Sequence, residues 1–165
     1  MTTSRHAVSA LLVASAINLA AMVPGGPIEA RDFSAISPVV LGAFNLFLTL
    51  LGLGSLLLAY RLSARRSPSY ALATLLGTGY FTVYLLDLAA IFPTSPTPMP
   101  LVLWCLEWLG TALAIPLVIL AWTAPRFAEE AVDAATVGLT RLGVIALVLV
   151  VAAIVGFATK SAMGL

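Results

Sequence analysis

The sequence predicts an all-α integral membrane protein: a bundle of five transmembrane helices, with the amino terminus cytoplasmic and the carboxyl terminus outside. Three observations carry this prediction. The 165 residues are 61% hydrophobic and only 9% charged, with a mean hydropathy of +1.09, whereas a soluble domain carries about a quarter charged residues. Five apolar stretches approach the ~20 residues that a helix needs to cross the hydrocarbon core. The basic residues also fall unevenly between the connecting loops. One helical domain spanning 1–165 is expected, with no separate soluble part.

The first stretch, about 7–23, ends at Pro24-Gly25-Gly26-Pro27. The second, about 38–60, opens with Pro38, which suits a first helical turn because its missing N–H is not needed there. The third, about 70–92, stops at Pro93. The fourth, about 101–123, stops before Pro125. The fifth, about 139–159, is the most apolar. With the amino terminus inside, Arg5, Arg61, Arg65, Arg66, Arg126 and Arg141 fall on the cytoplasmic side. Only Arg31 and Lys160 fall outside, as the positive-inside rule requires. Residues 1–23 also resemble a signal peptide. Asn18 late in the run and Met22-Val23-Pro24 make a poor cleavage site, so retention is expected. Seven arginines against one lysine suggest a GC-rich bacterial genome, and hence a bacterial inner membrane.

The loops differ in character. Residues 24–37 form a long outer segment containing Glu29, Arg31, Asp32 and Phe33, read either as a lid or as a simple connector. Residues 93–100 hold four prolines in eight positions. Proline fixes φ and removes donors, so this is a stiff strap between helices 3 and 4. Inside, Arg61, Arg65 and Arg66 before Ser67-Pro68 read as an anchor on anionic headgroups. Residues 126–138 read as a short interfacial helix, with Glu129, Glu130 and Asp133 on a solvated face.

Composition excludes several chemistries. A formal net charge of +1 gives no nucleic-acid surface. Cys105 is the only cysteine and His6 the only histidine, which excludes an intrachain disulfide and argues against bis-histidine haem or a histidine-rich metal centre. There is no phosphate loop, metalloprotease helix, serine-nucleophile elbow or retinal lysine within a span. No cofactor is evident, and no internal repeat points to a symmetric transporter.

Four polar residues stand out, one on each of the first four helices: Asn18, Asn45, Asp87 and Glu107. Counted from the flanking prolines, each lies six or seven residues inside the outer boundary, roughly 9–10 Å deep. Charge in lipid is expensive, so an intramembrane acid is a functional candidate by default. Helical phase gathers further residues. Ala73, Gly77, Tyr80, Tyr84 and Asp87 fall within about 80° of one another on helix 3. Asn45 shares a face with Thr49, and Glu107 with Trp104 and Thr111. Two carboxylates in a low-dielectric site repel, so either one holds a proton or a cation balances the pair. The surrounding amide and hydroxyl oxygens suit a hard cation, and the aromatic residues suit an organic one.

The expected ligand-binding set is therefore Asp87, Glu107, Asn45, Asn18, Tyr84, Tyr80, Trp104, Thr111 and Thr49. A bland account stands beside each group: asparagines bonding across helix pairs, Trp104 and Trp108 anchoring at the interface, and Pro116 making a static kink. Small pairs at four-residue spacing (Ala10 and Ala14, Ser55 and Ala59, Ala73 and Gly77, Ala152 and Gly156) permit close helix approach, including a homo-oligomer contact through helix 5. Three functions compete. The first is an outward-facing pocket that binds or transports a proton, cation or small cationic ligand. The second is a cofactor-independent enzyme using Asp87 and Glu107 as acid and base on a lipid or isoprenoid-like substrate. The third is an accessory subunit of a membrane complex. The partners expected are the lipid bilayer and a small cation or lipid ligand.

Overall fold

The computed structural model describes residues 2–64, 69–124 and 141–164. It is all-helical, with no strand among the described residues. The order is α1 (Thr2–Ala21), α2 (Pro38–Ser63), α3 (Tyr70–Leu88), α4 (Leu101–Trp122) and α5 (Arg141–Ala162). Residues 38–63, 70–88, 101–122 and 145–162 are long and apolar enough to cross a membrane. In α1 the apolar part, Arg5–Ala21, is shorter. Arg65, Arg66, Ser67, Pro68, Pro125, Arg126 and the expected interfacial helix with Glu129, Glu130 and Asp133 lie outside the described residues.

Packing is pairwise. α3 lies most extensively on α4 and α1 on α2, α1 also meets α4, and α5 packs on α2. Leu12, Leu58, Leu62, Tyr80, Leu103 and Leu117 form the centre of the core. Polar pins sit within it. Ser9 donates to the Ala59 carbonyl at 3.0 Å. The Tyr80 hydroxyl reaches Ser55 Oγ at 3.1 Å. Glycine allows the closest approach: a Cβ on Gly110 of α4 would collide with the Tyr84 ring of α3, and one on Gly77 would come within 2.9 Å of Val118. The four-residue pairs behave unevenly. Ser55, Ala59 and Ala73 are buried, whereas Ala10 is exposed and a Cβ on Gly156 would meet nothing within 4 Å.

The third helix ends earlier than its hydropathy predicts, at Leu88 rather than about residue 92. Ala90 takes the left-handed region at φ 53°. Ile91 N–H then bonds the Leu86 carbonyl at 2.9 Å, closing the helix in a left-handed C-terminal turn. Pro93 also disfavours helical geometry at Phe92, and the Phe92–Pro93 peptide is cis. The first helix likewise ends at Ala21 rather than 23, and the second and fifth run on to Ser63 and Ala162. Asp87 therefore sits in the last turn of α3 and Asn18 near the end of α1. Both still meet the other helices at one level: Asp87 lines a cavity with Asn45 and Glu107, and Asn18 bonds the Tyr84 hydroxyl and the Leu106 carbonyl.

The loops after α1 and α3 meet. Ser95 Oγ donates to the Asp32 carbonyl at 2.7 Å, and Asp32 N–H donates to Thr97 Oγ1 at 3.1 Å. Phe33 N–H donates to the Ala162 carbonyl at 2.9 Å, tying the first loop to the end of α5. The Asp32 carboxylate accepts from the Ser34 N–H at 2.8 Å, which holds it below its ordinary value.

Two substitutions test this packing. Ala90→Gly removes a Cβ from a left-handed residue and is expected to raise stability by about 0.5–1 kcal/mol. Gly110→Ala is expected to cost about 1–3 kcal/mol through overpacking against Tyr84, while Gly156→Ala is expected to be near neutral. Denaturant titration in detergent micelles measures all three.

Candidate functional site

The loop after α1 carries a guanidinium into the helical bundle. Arg31 is 8% exposed, Glu29 6% and Asp87 6%. Arg31 Nη1 donates to Asp87 Oδ1 at 2.8 Å and Nη2 to Asp87 Oδ2 at 2.7 Å. On its other edge, Nε donates to Glu29 Oε1 at 3.0 Å and Nη2 to Glu29 Oε2 at 2.6 Å. Both forks of one planar cation are thus occupied by carboxylates, an arrangement that lysine cannot reproduce. The Arg31 N–H also donates to Glu29 Oε1 at 3.1 Å, so the turn that presents the side chain is held by the same acid. The Phe33 ring lies 5.1 Å from the guanidinium carbon. Burial alone would pull Arg31 down. Its hydrogen bonds and charge attraction to Asp87 and Glu29 more than offset that, and hold it above its ordinary value.

Glu107, on α4, is the third acid. It is 4% exposed and lines the same cavity as Asp87 and Arg31. Its Oε2 has no donor among the described residues. Two carboxyl groups close together in a buried site repel unless a proton or a cation lies between them. Nearby, Asn18 Nδ2 donates to the Tyr84 hydroxyl at 3.3 Å and to the Leu106 carbonyl at 3.1 Å. This anchors α1 to α3 and α4 beside the acids.

Arg31 and Asp87 form a wall shared by two cavities. One, about 50 Å³, is lined by Glu29, Asn45, Tyr84 and Glu107 together with the pair. The other, about 350 Å³, lies under the proline strap against Pro93, Thr97, Met99 and Trp104. A third cavity, about 170 Å³ and nearly all apolar, adjoins the first between α1, α2 and α5.

The structure brings Asp87, Glu107, Asn45 and Tyr84 to one cavity, and Asn18 reaches it through Tyr84. Trp104 lines the cavity beneath the strap, half-exposed and edge-on to Trp108. Three expected residues lie elsewhere. Tyr80 stacks on Tyr84 but spends its hydroxyl on Ser55. Thr111 bonds the Glu107 carbonyl of its own helix at 2.9 Å. Thr49 bonds the Asn45 carbonyl at 2.7 Å and faces the apolar cavity. Asn45 Nδ2 donates to Thr159 of α5 at 3.0 Å. Glu29 and Arg31 are absent from the sequence-derived set. The signal was a long loop with charges of both signs beside Phe33, in a chain otherwise sparing of charge.

The description "Domain of unknown function (DUF8051)" matches residues 4–137, and the chain belongs to that family. The match takes in Glu29, Arg31, Asp87 and Glu107 and stops short of α5. Comparison with curated proteins and with solved structures finds no match.

Arg31→Met leaves two buried carboxylates without their cation and is expected to cost about 3–5 kcal/mol in denaturant titration. Arg31→Lys is expected to recover only part of that loss, because one ammonium cannot serve two forks. A change within about 0.5 kcal/mol for both variants would mark Arg31 as an ordinary surface residue.

Proposed function

We propose that this DUF8051 family member is a multi-pass bacterial inner-membrane protein whose outward-facing acidic pocket binds a proton or small cation. One observation carries the reading: three buried acids, Glu29, Asp87 and Glu107, face a single guanidinium. Arg31 balances one negative charge. The remaining excess sits in the cavity that Asp87 and Glu107 share, where Glu107 Oε2 has no donor among the described residues. The adjoining cavity of about 50 Å³ has room for a water-sized cation, which needs on the order of 10–15 Å³.

The topology belongs to the same proposal. All five helices span, with the amino terminus inside and the carboxyl terminus outside. Burial of Arg31 supports this orientation, because it removes one of only two outer basic residues from the aqueous surface. The cavity under the proline strap is then the outer vestibule, and the Arg31–Asp87 pair stands between it and the inner pocket. A cation passing inward meets that pair first.

The groups facing Glu107 are Asp87 and Tyr84 from α3 and Arg31 and Glu29 from the loop. A proton and a cation compete for this place, so cation affinity rises with pH.

A second reading has one observation in its favour. The apolar cavity beside the acids suits a lipid-like substrate, on which Asp87 and Glu107 act as base and acid. Flux in proteoliposomes marks a transporter, and altered lipid extracts without flux mark an enzyme.

Equilibrium dialysis of methylammonium against protein in lipid nanodiscs tests the binding claim. One cation per chain is expected, held more weakly as pH falls, with at least about a tenfold loss in Glu107→Gln (roughly 1.4 kcal/mol or more). Binding that is indifferent to pH and to Glu107→Gln would overturn the reading.

A further inference from the structure

We propose that the pocket takes an amphiphilic cation: a compact ammonium head at Glu107, and a short hydrocarbon tail in the apolar cavity between α1, α2 and α5. This rests on the cation reading and names the ligand class. The two cavities are neighbours with common walls. Leu19, Met22, Pro24, Asn45 and Leu48 line both. The acids lie in one of them only. The smaller is lined by Glu29, Asp87 and Glu107 with Tyr84 among apolar side chains; the larger is lined mainly by apolar residues, with Asn45 and Thr49 its polar members and Ile154 and Ala158 contributed by α5.

Size sets the tail length. The larger cavity holds about 170 Å³, and an apolar cavity of about 150 Å³ accepts a benzene ring, so it has room for on the order of six carbons. The smaller cavity, at about 50 Å³, excludes a bulky head. A primary ammonium fits this division, because its N–H groups answer the oxygens that lack donors and its chain leaves the polar end in one direction only. Asn45 marks the boundary. Its amide nitrogen is committed to Thr159 at 3.0 Å, which fixes α5 as the far wall.

Gly52 offers a way to close the tail cavity alone. It lines that cavity, and a Cβ there would meet only Leu19 Cδ2 at 3.7 Å, an ordinary contact. Gly52→Leu therefore directs a side chain into the space without touching the acids. Ala20, exposed on α1 and lining the same cavity, provides Ala20→Leu as a second blocking variant should the first fail to fold.

Equilibrium dialysis of n-alkylammonium ions from methyl to hexyl, against protein in nanodiscs with empty nanodiscs as the blank, tests the proposal. Affinity referred to free aqueous ligand is expected to rise about fourfold per methylene and to level off near six carbons. Gly52→Leu or Ala20→Leu is expected to abolish that rise while leaving methylammonium binding unchanged. Methylammonium binding without dependence on chain length, or a dependence that survives both blocking variants, overturns the tail site and leaves the cation reading intact. Absence of methylammonium binding in the unaltered protein overturns both.

Discussion

Everything at the loop end of the bundle depends on where one guanidinium is buried. An ionised group in the interior is stable only when paired and hydrogen-bonded. Arg31 meets that condition with carboxylates on both edges, from Glu29 in its own loop and from Asp87 in the last turn of α3. The bonds fold residues 29–33 back toward the helices. Phe33 follows into a buried position, and its backbone ties to the end of α5. Asp32, next in the chain, bonds to the strap after α3. The ion pairs thus tie the loop after α1 to α3, and Phe33, beside them in the chain, packs that loop on Leu41 of α2 and Ala162 of α5.

The same cluster is unbalanced in charge, and the proposed function rests on that imbalance. An arginine with one acid would be a structural clasp. An arginine with two acids and a third beside them leaves excess negative charge in a largely buried place. Under the proposed function, a proton or a bound cation supplies the positive charge that the described residues do not. In the same proposal the three cavities serve that charge as a vestibule, a seat and an apolar annex.

The helices were legible in the sequence because hydropathy is summed over about twenty residues and survives local irregularity. The approach of Tyr84 and Asp87 to Glu107 was legible in part, since phase on a helix determines which residues share a face. The end of α3 was not. Alanine at position 90 gives no sign of a left-handed turn, whereas glycine would have done so. That hidden turn moves Asp87 to the helix end, within reach of the loop. Glu29 and Arg31 were also illegible as site residues, because a loop has no period from which a facing direction can be read. Tyr80 shows the limit of phase: it shares a stripe with Tyr84 and Asp87, yet its hydroxyl bonds Ser55 and it does not line the cavity of the acids.

The central claim is that a proton or cation resides in the cavity that Glu107 and Asp87 share. Infrared difference spectroscopy of the carboxylic-acid C=O stretch tests it most directly, with protein in nanodiscs near neutral pH. A protonated-carboxyl band is expected that disappears when methylammonium is added and is missing from Glu107→Gln. Glu107 fully ionised in the cation-free protein, with no such band to lose, would contradict it.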